Sequence, residues 1–276
     1  MTPTAQGAAV TRDGTRISYR RTAASDGSPR VVFVHSLALD HSIWDRVVER
    51  LTGRADQVAV DCRGHGASGR SGSPYTVEQF GDDIADVLDH LGWESATIVG
   101  CSMGGCVAQA FAARHPERVD SAVFVDTTAW YGPDAPSEWA ERARNAREKG
   151  LASLVPFQLE RWFGDAFRAA EPKLMKSLAD LFTANDLDSY TATCEMLGAT
   201  DLRTASATIT CPTVVLVGEH DRATPPPMAE TLAALLGAGS PTVVPGTRHL
   251  TPLENPSAVL NALEQVTPAL TVSESA

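Results

Sequence analysis

The sequence predicts an α/β protein with a mostly parallel sheet, helices on both faces of that sheet and a helical insertion. Short apolar runs alternate with helix-length amphipathic segments up to Asp126, the alternation stops over 127–203, and it then resumes. Continuous apolar runs are typical of strands in parallel sheets, because both faces of such sheets are buried. The chain has 276 residues, 43% of them hydrophobic, which is enough for one large α/β domain or two small ones.

The first part of the chain contains a hairpin and then alternating strands and helices. Apolar and polar residues alternate on either side of Asp13-Gly14, which predicts an antiparallel hairpin within 8–21. Thr76 and Gln79 have the spacing of a capping box at the start of a long amphipathic helix. Further strands are predicted at 31–34, 57–60, 96–99 and 119–125, with helices at 43–51, after Thr76 and from the motif at Ser102 to His115. Helical crossovers between these strands make them run parallel.

The segment 127–203 has no strand pattern. Helical segments are predicted near 138–149, 156–167, 172–182 and 187–197, and after them strands at 212–217 and 241–244 with helices at 228–236 and 257–266. Ligands of open α/β sheets bind at the carboxyl ends of the strands, so an insertion at this point is well placed to cover them. We therefore expect a core formed by 1–126 and 204–276, with 127–203 inserted into it as a helical cap.

Composition argues against several classes of partner. The net charge is −11 and no cluster of Lys and Arg is visible, so neither nucleic acid nor an anionic membrane is an expected partner. The first six residues lack the basic and apolar regions of a signal peptide, and no apolar run reaches transmembrane length, which favours a cytoplasmic location. The five cysteines match no metal-ligand spacing, so we expect free thiols, no metal and no cofactor. Homo-oligomer formation is left open.

The motif Gly100-Cys101-Ser102-Met103-Gly104 carries the strongest functional signal. It follows an apolar run and opens a helix of small residues, the context of a nucleophile elbow. Such a sharp turn exposes the serine hydroxyl and requires glycine on either side. A serine needs an adjacent base to remove its proton, so the motif predicts a histidine and a carboxylate elsewhere in the chain.

Both partners occur downstream of the motif, in the order Ser, acid, His that accompanies a nucleophile elbow. His249 lies in the loop after the last predicted strand and is the predicted base, with His65 as an alternative. Asp221 follows the preceding strand and is the favoured acid. Asp126, at the end of the strand after the motif, and Glu219 are the alternatives.

An oxyanion hole requires two backbone N–H groups that point to the developing negative charge. The N–H of Met103 is expected to supply one, because it follows the nucleophile at the start of a helix. The loop after the strand 31–34 is expected to supply the other, from Leu37.

The chain resembles the α/β-hydrolase superfamily over nearly its whole length, and within it the 3-oxoadipate enol-lactonases. The segments that carry this resemblance are His35-Ser36-Leu37, Trp44-Asp45, Tyr75-Thr76-Val77-Glu78-Gln79, Ser102-Met103-Gly104-Gly105, Pro116-Glu117-Arg118, Thr127-Thr128-Ala129, Arg161-Trp162-Phe163, Tyr190 with Cys194, and Asp201-Leu202-Arg203. The resemblance implies an α/β-hydrolase fold and a cofactor-independent serine hydrolase that cleaves a small lactone or ester. The loop 61–68 also resembles one common in this superfamily, where Arg63 is expected to bind backbone carbonyls.

Residues expected at the substrate pocket are Ser36, Asp126, Trp130, Arg161 and Trp162. Two positions depart from the lactonase pattern: Ala38 replaces a glycine and Asp126 replaces an asparagine. A carboxylate in the pocket would disfavour an anionic substrate.

The same catalytic residues suit other chemistry. C–C bond hydrolysis of vinylogous diketones, perhydrolysis and acyl transfer are alternatives, as is a ligand-binding protein with vestigial hydrolase activity.

Overall fold

A computed structural model describes residues 4–72 and 74–271. Within these residues eight strands form one sheet in the order β1-β2-β4-β3-β5-β6-β7-β8. β1 pairs antiparallel with β2 and β2 with β4, and every other pair is parallel, so the predicted, mostly parallel sheet is confirmed. The strands are β1 Thr4–Val10, β2 Arg16–Thr22, β3 Arg30–Val34, β4 Asp56–Val60, β5 Ala96–Cys101, β6 Val119–Val125, β7 Thr213–Gly218 and β8 Thr242–Val244.

Helices follow the parallel strands and cover the sheet. The capping box predicted at the start of the second helix is half formed. The Thr76 side chain accepts a hydrogen bond from the Gln79 N–H at 3.2 Å, but the Gln79 side chain donates to Asp13 Oδ2 at 3.1 Å instead of returning to Thr76. No helix within the described residues is both long and apolar enough to cross a membrane. The helices outside the segment between β6 and β7 are α1 Asp45–Leu51, α2 Val77–Leu91, α3 Met103–Arg114, α10 Pro226–Leu236, α11 Thr251–Glu254 and α12 Pro256–Val266.

The segment between β6 and β7 is helical throughout its regular structure. Its helices are α4 Ala135–Lys149, α5 Val155–Trp162, α6 Asp165–Ala170, α7 Pro172–Thr183, α8 Leu187–Ala199 and α9 Arg203–Ser206. The helix predicted over 156–167 is wrong as a single element, because the extended backbone of Phe163 (φ −136°) separates α5 from α6. The two ends of the segment meet where Trp130 and Asp201 form an isolated antiparallel bridge. The division at 126/127 and 203/204 stays a prediction.

The two glycines of the motif lie where no side chain fits. A Cβ atom on Gly100 would lie 2.1 Å from the Gly104 carbonyl oxygen, and one on Gly104 would lie 2.2 Å from the Val34 oxygen. The start of α3 therefore rests directly on the backbone of β3. This close packing confirms the steric requirement for glycine on both sides of Ser102.

Arg63 binds carboxylates, so the expectation that it binds backbone carbonyls is wrong. It is 1% exposed and donates to Asp83 (Nε to Oδ2, 2.7 Å) and to Asp13 (Nη1 to Oδ2, 2.9 Å). For Asp83, the effect of burial is larger than that of the bond from Arg63, and it raises the pKa of this carboxyl to about 6. Arg63 thus joins the loop after β4 to α2 and to the hairpin turn.

We predict that Gly104→Ala lowers the free energy of unfolding by about 3 kcal/mol or more, because the new methyl group overlaps the backbone of β3. Gly164→Ala is the matched control, since nothing lies within 4 Å of its Cβ position and its φ is −67°. Urea unfolding of the two variants measures the difference. Equal stability of the two would contradict the close packing of α3 on β3.

Candidate active site

Ser102 lies in a strained turn between β5 and α3. Its backbone has φ 56° and ψ −116°, a conformation that non-glycine residues rarely adopt. Its N–H donates to the Val125 carbonyl at 2.9 Å, and its carbonyl accepts from the Gly105 N–H at 2.9 Å and the Thr127 hydroxyl at 2.7 Å. These bonds hold the turn and leave the side chain free to point away from the sheet.

The structure brings Ser102, His249 and Asp221 together in a chain of two hydrogen bonds. The Ser102 Oγ lies 2.9 Å from His249 Nε2, and His249 Nδ1 lies 2.8 Å from Asp221 Oδ2. A carboxylate only accepts hydrogen bonds, so Nδ1 carries the proton and Nε2 is free to accept the serine hydroxyl. All three side chains are buried. The geometry suits removal of the serine proton by the imidazole.

Asp221 is held rigidly against the imidazole. Its Oδ1 accepts from the N–H groups of Ala223 (2.6 Å) and Thr224 (3.0 Å), and its Oδ2 accepts from the Thr224 hydroxyl at 2.9 Å. The histidine loop is held by the inserted segment, because the His249 N–H donates to the Trp162 carbonyl at 3.1 Å. The position of His249 therefore depends on both parts of the chain.

Asp126 lies neither beside His249, as an alternative acid would, nor in the substrate pocket. Its carboxylate accepts from the Gly218 N–H at 2.9 Å and from the Thr251 N–H at 2.9 Å, and it makes no hydrogen bond to His249 within the described residues. It is fully buried and outside the cavity lining, so its placement in the substrate pocket is wrong. Burial, and then the nearby Asp221 carboxylate, raise the pKa of Asp126 well above its usual range.

Glu219 and His65, which were also candidates for the acid and the base, bind elsewhere. Glu219 accepts from the Gly246 N–H at 2.9 Å on the surface. The Nδ1 of His65 lies 3.0 Å from the Arg63 carbonyl, and burial lowers the pKa of His65 to about 3. Both ring nitrogens of His35 are engaged by backbone, Nε2 by the Cys62 N–H at 2.9 Å and Nδ1 by the Ser36 carbonyl at 2.7 Å. The described residues hold no group of three or more potential metal ligands.

Ser102 opens onto a small cavity between the sheet and the inserted segment. An outer cavity of about 650 Å³ continues from it and shares six of its lining residues. Of the residues expected at the pocket or the oxyanion hole, Ser36, Leu37, Arg161 and Trp162 line the inner cavity. Met103, directly after Ser102, is the first residue of α3. The inner cavity is lined by Ser36, Leu37, Ser102, Tyr131, Trp139, Arg142, Gln158, Arg161, Trp162, Ala223, Thr224 and His249.

The expectation that Trp130 lines the substrate pocket is also wrong. Its ring packs under the Arg203 guanidinium, whose central carbon lies 3.9 Å from the ring centroid, and it lines neither cavity. The backbone bridge to Asp201 places Trp130 at the base of the inserted segment, where its ring contacts Arg203.

Arg142 and Gln158 are cavity residues that were not expected from the sequence. Gln158, Arg161 and Trp162 have the spacing i, i+3, i+4 on α5 and share one helix face, a signal that would have added Gln158 to the expected set. Arg142 lies on α4, and only the packing of α4 against α8 brings it to the cavity. No local pattern marks it.

A sequence model of the family described as alpha/beta hydrolase fold matches residues 29–179, which is more than half of the chain. The chain belongs to this family. The 3-oxoadipate enol-lactonase 2 of Acinetobacter baylyi is 29% identical to this hydrolase over 257 residues, 93% of this chain and 95% of that protein. The 3-oxoadipate enol-lactonase 1 of the same organism is 31% identical over 199 residues, 72% of this chain and 74% of that protein.

A solved structure supports the same relationship. The crystal structure of the enol-lactonase from Burkholderia xenovorans LB400 aligns with a TM-score of 0.89 at 30% identity, covering 95% of this chain and 100% of that one. The expected likeness to 3-oxoadipate enol-lactonases is therefore confirmed.

We predict that Asp221→Asn lowers kcat by about ten-thousandfold, because an amide no longer holds the imidazole tautomer that accepts the serine proton. Asp126→Asn is the matched control and is expected to keep kcat within about tenfold of the unsubstituted enzyme, since its carboxylate binds only backbone and Thr251. Steady-state rates on one ester substrate compare the two. A larger loss for Asp126→Asn would identify Asp126 as the acid.

Proposed function

We propose that this hydrolase is a cofactor-independent serine hydrolase that cleaves a small lactone or carboxylic ester through an acyl-enzyme. The observation that supports this proposal is the chain of hydrogen bonds from Ser102 Oγ through His249 to Asp221 at the floor of the inner cavity. In this proposal Ser102 is the nucleophile, His249 is the general base and acid, and Asp221 orients the imidazole.

The first half-reaction forms an ester on Ser102. The Ser102 oxygen attacks the substrate carbonyl carbon while His249 Nε2 takes its proton, and the Asp221 carboxylate stabilises the resulting imidazolium. Collapse of the tetrahedral intermediate breaks the bond to the leaving oxygen, which receives the proton from His249. For a lactone this oxygen stays attached to the acyl chain, because the broken bond is part of the ring.

The N–H groups of Leu37 and Met103 are the proposed donors to the oxyanion. Leu37 lines the inner cavity, and Met103 is the first residue of α3, where an N–H has no acceptor within its own helix. The positive end of the helix dipole also faces the oxyanion. Preorganised donors of this kind are worth about 3–4 kcal/mol each in comparable sites.

The second half-reaction releases the acid. A water molecule gives its proton to His249 Nε2 and attacks the acyl carbon, and the Ser102 oxygen then leaves with that proton. The chemistry requires no metal and no redox group, since every proton moves between the substrate, water and the imidazole.

The segment 127–203 is proposed to act as a cap that selects the substrate. Tyr131, Trp139, Gln158, Arg161 and Trp162 of this segment line the inner cavity above Ser102. Because the enol-lactonases match this hydrolase over this segment as well as the core, 3-oxoadipate enol-lactone or a related small lactone is the substrate we favour.

We predict that freshly generated 3-oxoadipate enol-lactone is hydrolysed with a kcat/KM at least about a hundredfold above that of 4-nitrophenyl acetate, because only the lactone uses the cavity contacts. Ser102→Ala is expected to lower kcat on both substrates by about a millionfold. Ser25→Ala, at an exposed serine far along the chain, is the control and should change neither rate.

Two outcomes would count against these assignments. Residual activity of Ser102→Ala within about tenfold of the unsubstituted enzyme excludes Ser102 as the nucleophile. Cleavage of 4-nitrophenyl acetate without cleavage of the lactone retains the serine mechanism and excludes the enol-lactone as substrate.

A further inference from the structure

Arg248, the residue before His249, reaches from its own loop to the end of α5. This loop, residues 245–250, joins β8 to α11 and is called the histidine loop. The Arg248 Nη1 donates to the carbonyl of Glu160 and, at 3.0 Å, to that of Phe163. The side chain is 12% exposed although it carries a charge. It is therefore held between the histidine loop and the inserted segment.

These hydrogen bonds complete the C-terminus of α5. The last carbonyls of a helix have no N–H partner within the helix and need a donor from elsewhere. α5 ends at Trp162 because the backbone of Phe163 is extended. Arg248 supplies a donor to the Glu160 carbonyl, and the His249 N–H supplies one to the Trp162 carbonyl at 3.1 Å. Two consecutive residues of the histidine loop thus close the helix.

The backbone of Arg248 is restrained as well as its side chain. Glu254 Oε2 accepts from the Arg248 N–H at 2.6 Å, and Glu254 Oε1 lies 3.4 Å from the nitrogen of Gly164, directly after α5. The Arg248 carbonyl lies against the end of β7, where a Cβ atom on Gly218 would be 1.9 Å from its oxygen. The residue next to His249 therefore has little freedom to move while these contacts persist.

The helix that Arg248 closes also lines the cavity above Ser102. Trp162 presents its side chain to the inner cavity and its carbonyl to the His249 N–H. Proton transfer requires the two heavy atoms to lie within about 2.6–3.2 Å, and His249 Nε2 lies 2.9 Å from Ser102 Oγ. A small shift of the histidine loop relative to the sheet is therefore enough to slow the reaction.

We propose that Arg248 is a positioning residue that fixes the imidazole of His249 relative to Ser102 by joining the histidine loop to the end of α5. Arg248 lines neither cavity, so it acts through the loop and not on the substrate. Its ion pair with Asp165 is long, at 3.9 Å, and exposed, and contributes little beside the bonds to carbonyls. The inference rests on the proposed function, in which His249 takes the serine proton.

Arg46 of α1 provides a matched control. Its Nη1 donates to the Leu253 carbonyl at 2.9 Å and its Nη2 to Glu171 Oε1 at 2.8 Å. It therefore also joins the inserted segment to the rest of the chain through a guanidinium. Its partners lie in α11 and between α6 and α7, outside both the histidine loop and α5.

The two methionine variants separate positioning from stability. Arg248→Met should lower kcat for 4-nitrophenyl acetate by about thirtyfold and change KM by less than about threefold, because proton transfer is impaired and binding is not. Arg46→Met should keep kcat within about threefold of the unsubstituted enzyme. Each variant loses hydrogen bonds, so Tm of both is expected to fall by about 2–4 °C. Equal kcat of the two variants would overturn the positioning role.

Arg248→Lys is the conservative variant. A lysine keeps the positive charge and can donate to a carbonyl, but it has one nitrogen in place of the guanidinium fork. We expect its loss of kcat to be about three- to tenfold, smaller than that of Arg248→Met. An Arg248→Lys enzyme no faster than Arg248→Met would overturn the role of the hydrogen bonds. If Arg248→Met does not fold, an unchanged kcat of Arg248→Lys overturns it.

Hydrogen–deuterium exchange tests the connection without any substrate. Local opening exposes backbone N–H groups to exchange, and mass spectrometry of peptides from the full-length protein locates it. In Arg248→Met we expect peptides covering 156–164 and 245–254 to exchange at least about fivefold faster, and the α4 peptide to be unchanged. In Arg46→Met the first two peptides should exchange as in the unsubstituted enzyme. Faster exchange at 156–164 with an unchanged histidine loop would overturn the connection.

The two kinds of measurement distinguish failure of this inference from failure of the proposed function. An inactive Ser102→Ala enzyme together with an unchanged kcat of Arg248→Met would overturn the positioning role and leave the serine mechanism intact. Full activity of Ser102→Ala, with faster exchange in both peptides of Arg248→Met, would overturn the serine mechanism and retain the structural connection between the histidine loop and α5.

Discussion

The strained backbone at Ser102 is the constraint on which the site depends. With φ 56° the residue turns the chain from β5 into α3 within one position, and Gly100 and Gly104 let the helix rest on the strands at distances that exclude a Cβ atom. Such a conformation costs about 1–3 kcal/mol and persists only when its surroundings over-determine it. Here the donors to the Ser102 carbonyl and the bond from its N–H to Val125 supply that restraint. The hydroxyl consequently meets His249 in a fixed geometry.

Backbone strain is concentrated at the carboxyl ends of the central parallel strands. In the part of the chain that the structure describes, the non-glycine residues with positive φ are Ala38, Ser102 and Asp126, and each follows the carboxyl end of one of the adjacent strands β3, β5 and β6. The left-handed backbone of Ala38 explains why a glycine is expected there. Gln158, whose side-chain amide has no hydrogen-bond partner among the described residues, lines the cavity above the same strand ends. These features lower the stability of the fold at the place where ligands of open α/β sheets bind. Such a loss of stability is common at functional sites.

Local patterns were sufficient for much of the fold and for the centre of the site. Apolar runs and helical spacing predicted the strands of the sheet, and the glycine-flanked Ser102 with the later Asp221 and His249 predicted which residues meet. Their order along the chain reflects the strand topology, which the alternation of elements already indicates. The break between α5 and α6 was missed because the apolar spacing continues through Phe163.

Contacts between distant segments could not be predicted in this way. Asp126 was misplaced because only the folded chain brings Gly218 and Thr251 to its carboxylate. Trp130 was misplaced because its contacts with Asp201 and Arg203 join positions about 70 residues apart in the sequence. Arg142 reaches the cavity through packing between helices, for which its own segment carries no signal.

The proposed mechanism requires that Ser102 become covalently acylated during turnover. Rapid acid quenching during hydrolysis of a 4-nitrophenyl ester, followed by peptide mass spectrometry, measures this directly. We expect the mass of the acyl group on the peptide that contains Ser102, with fragment ions that assign it to Ser102 and not to the neighbouring Cys101. Continued turnover with the acyl group on another residue, or with no acylated peptide in the pre-steady-state phase, would contradict it.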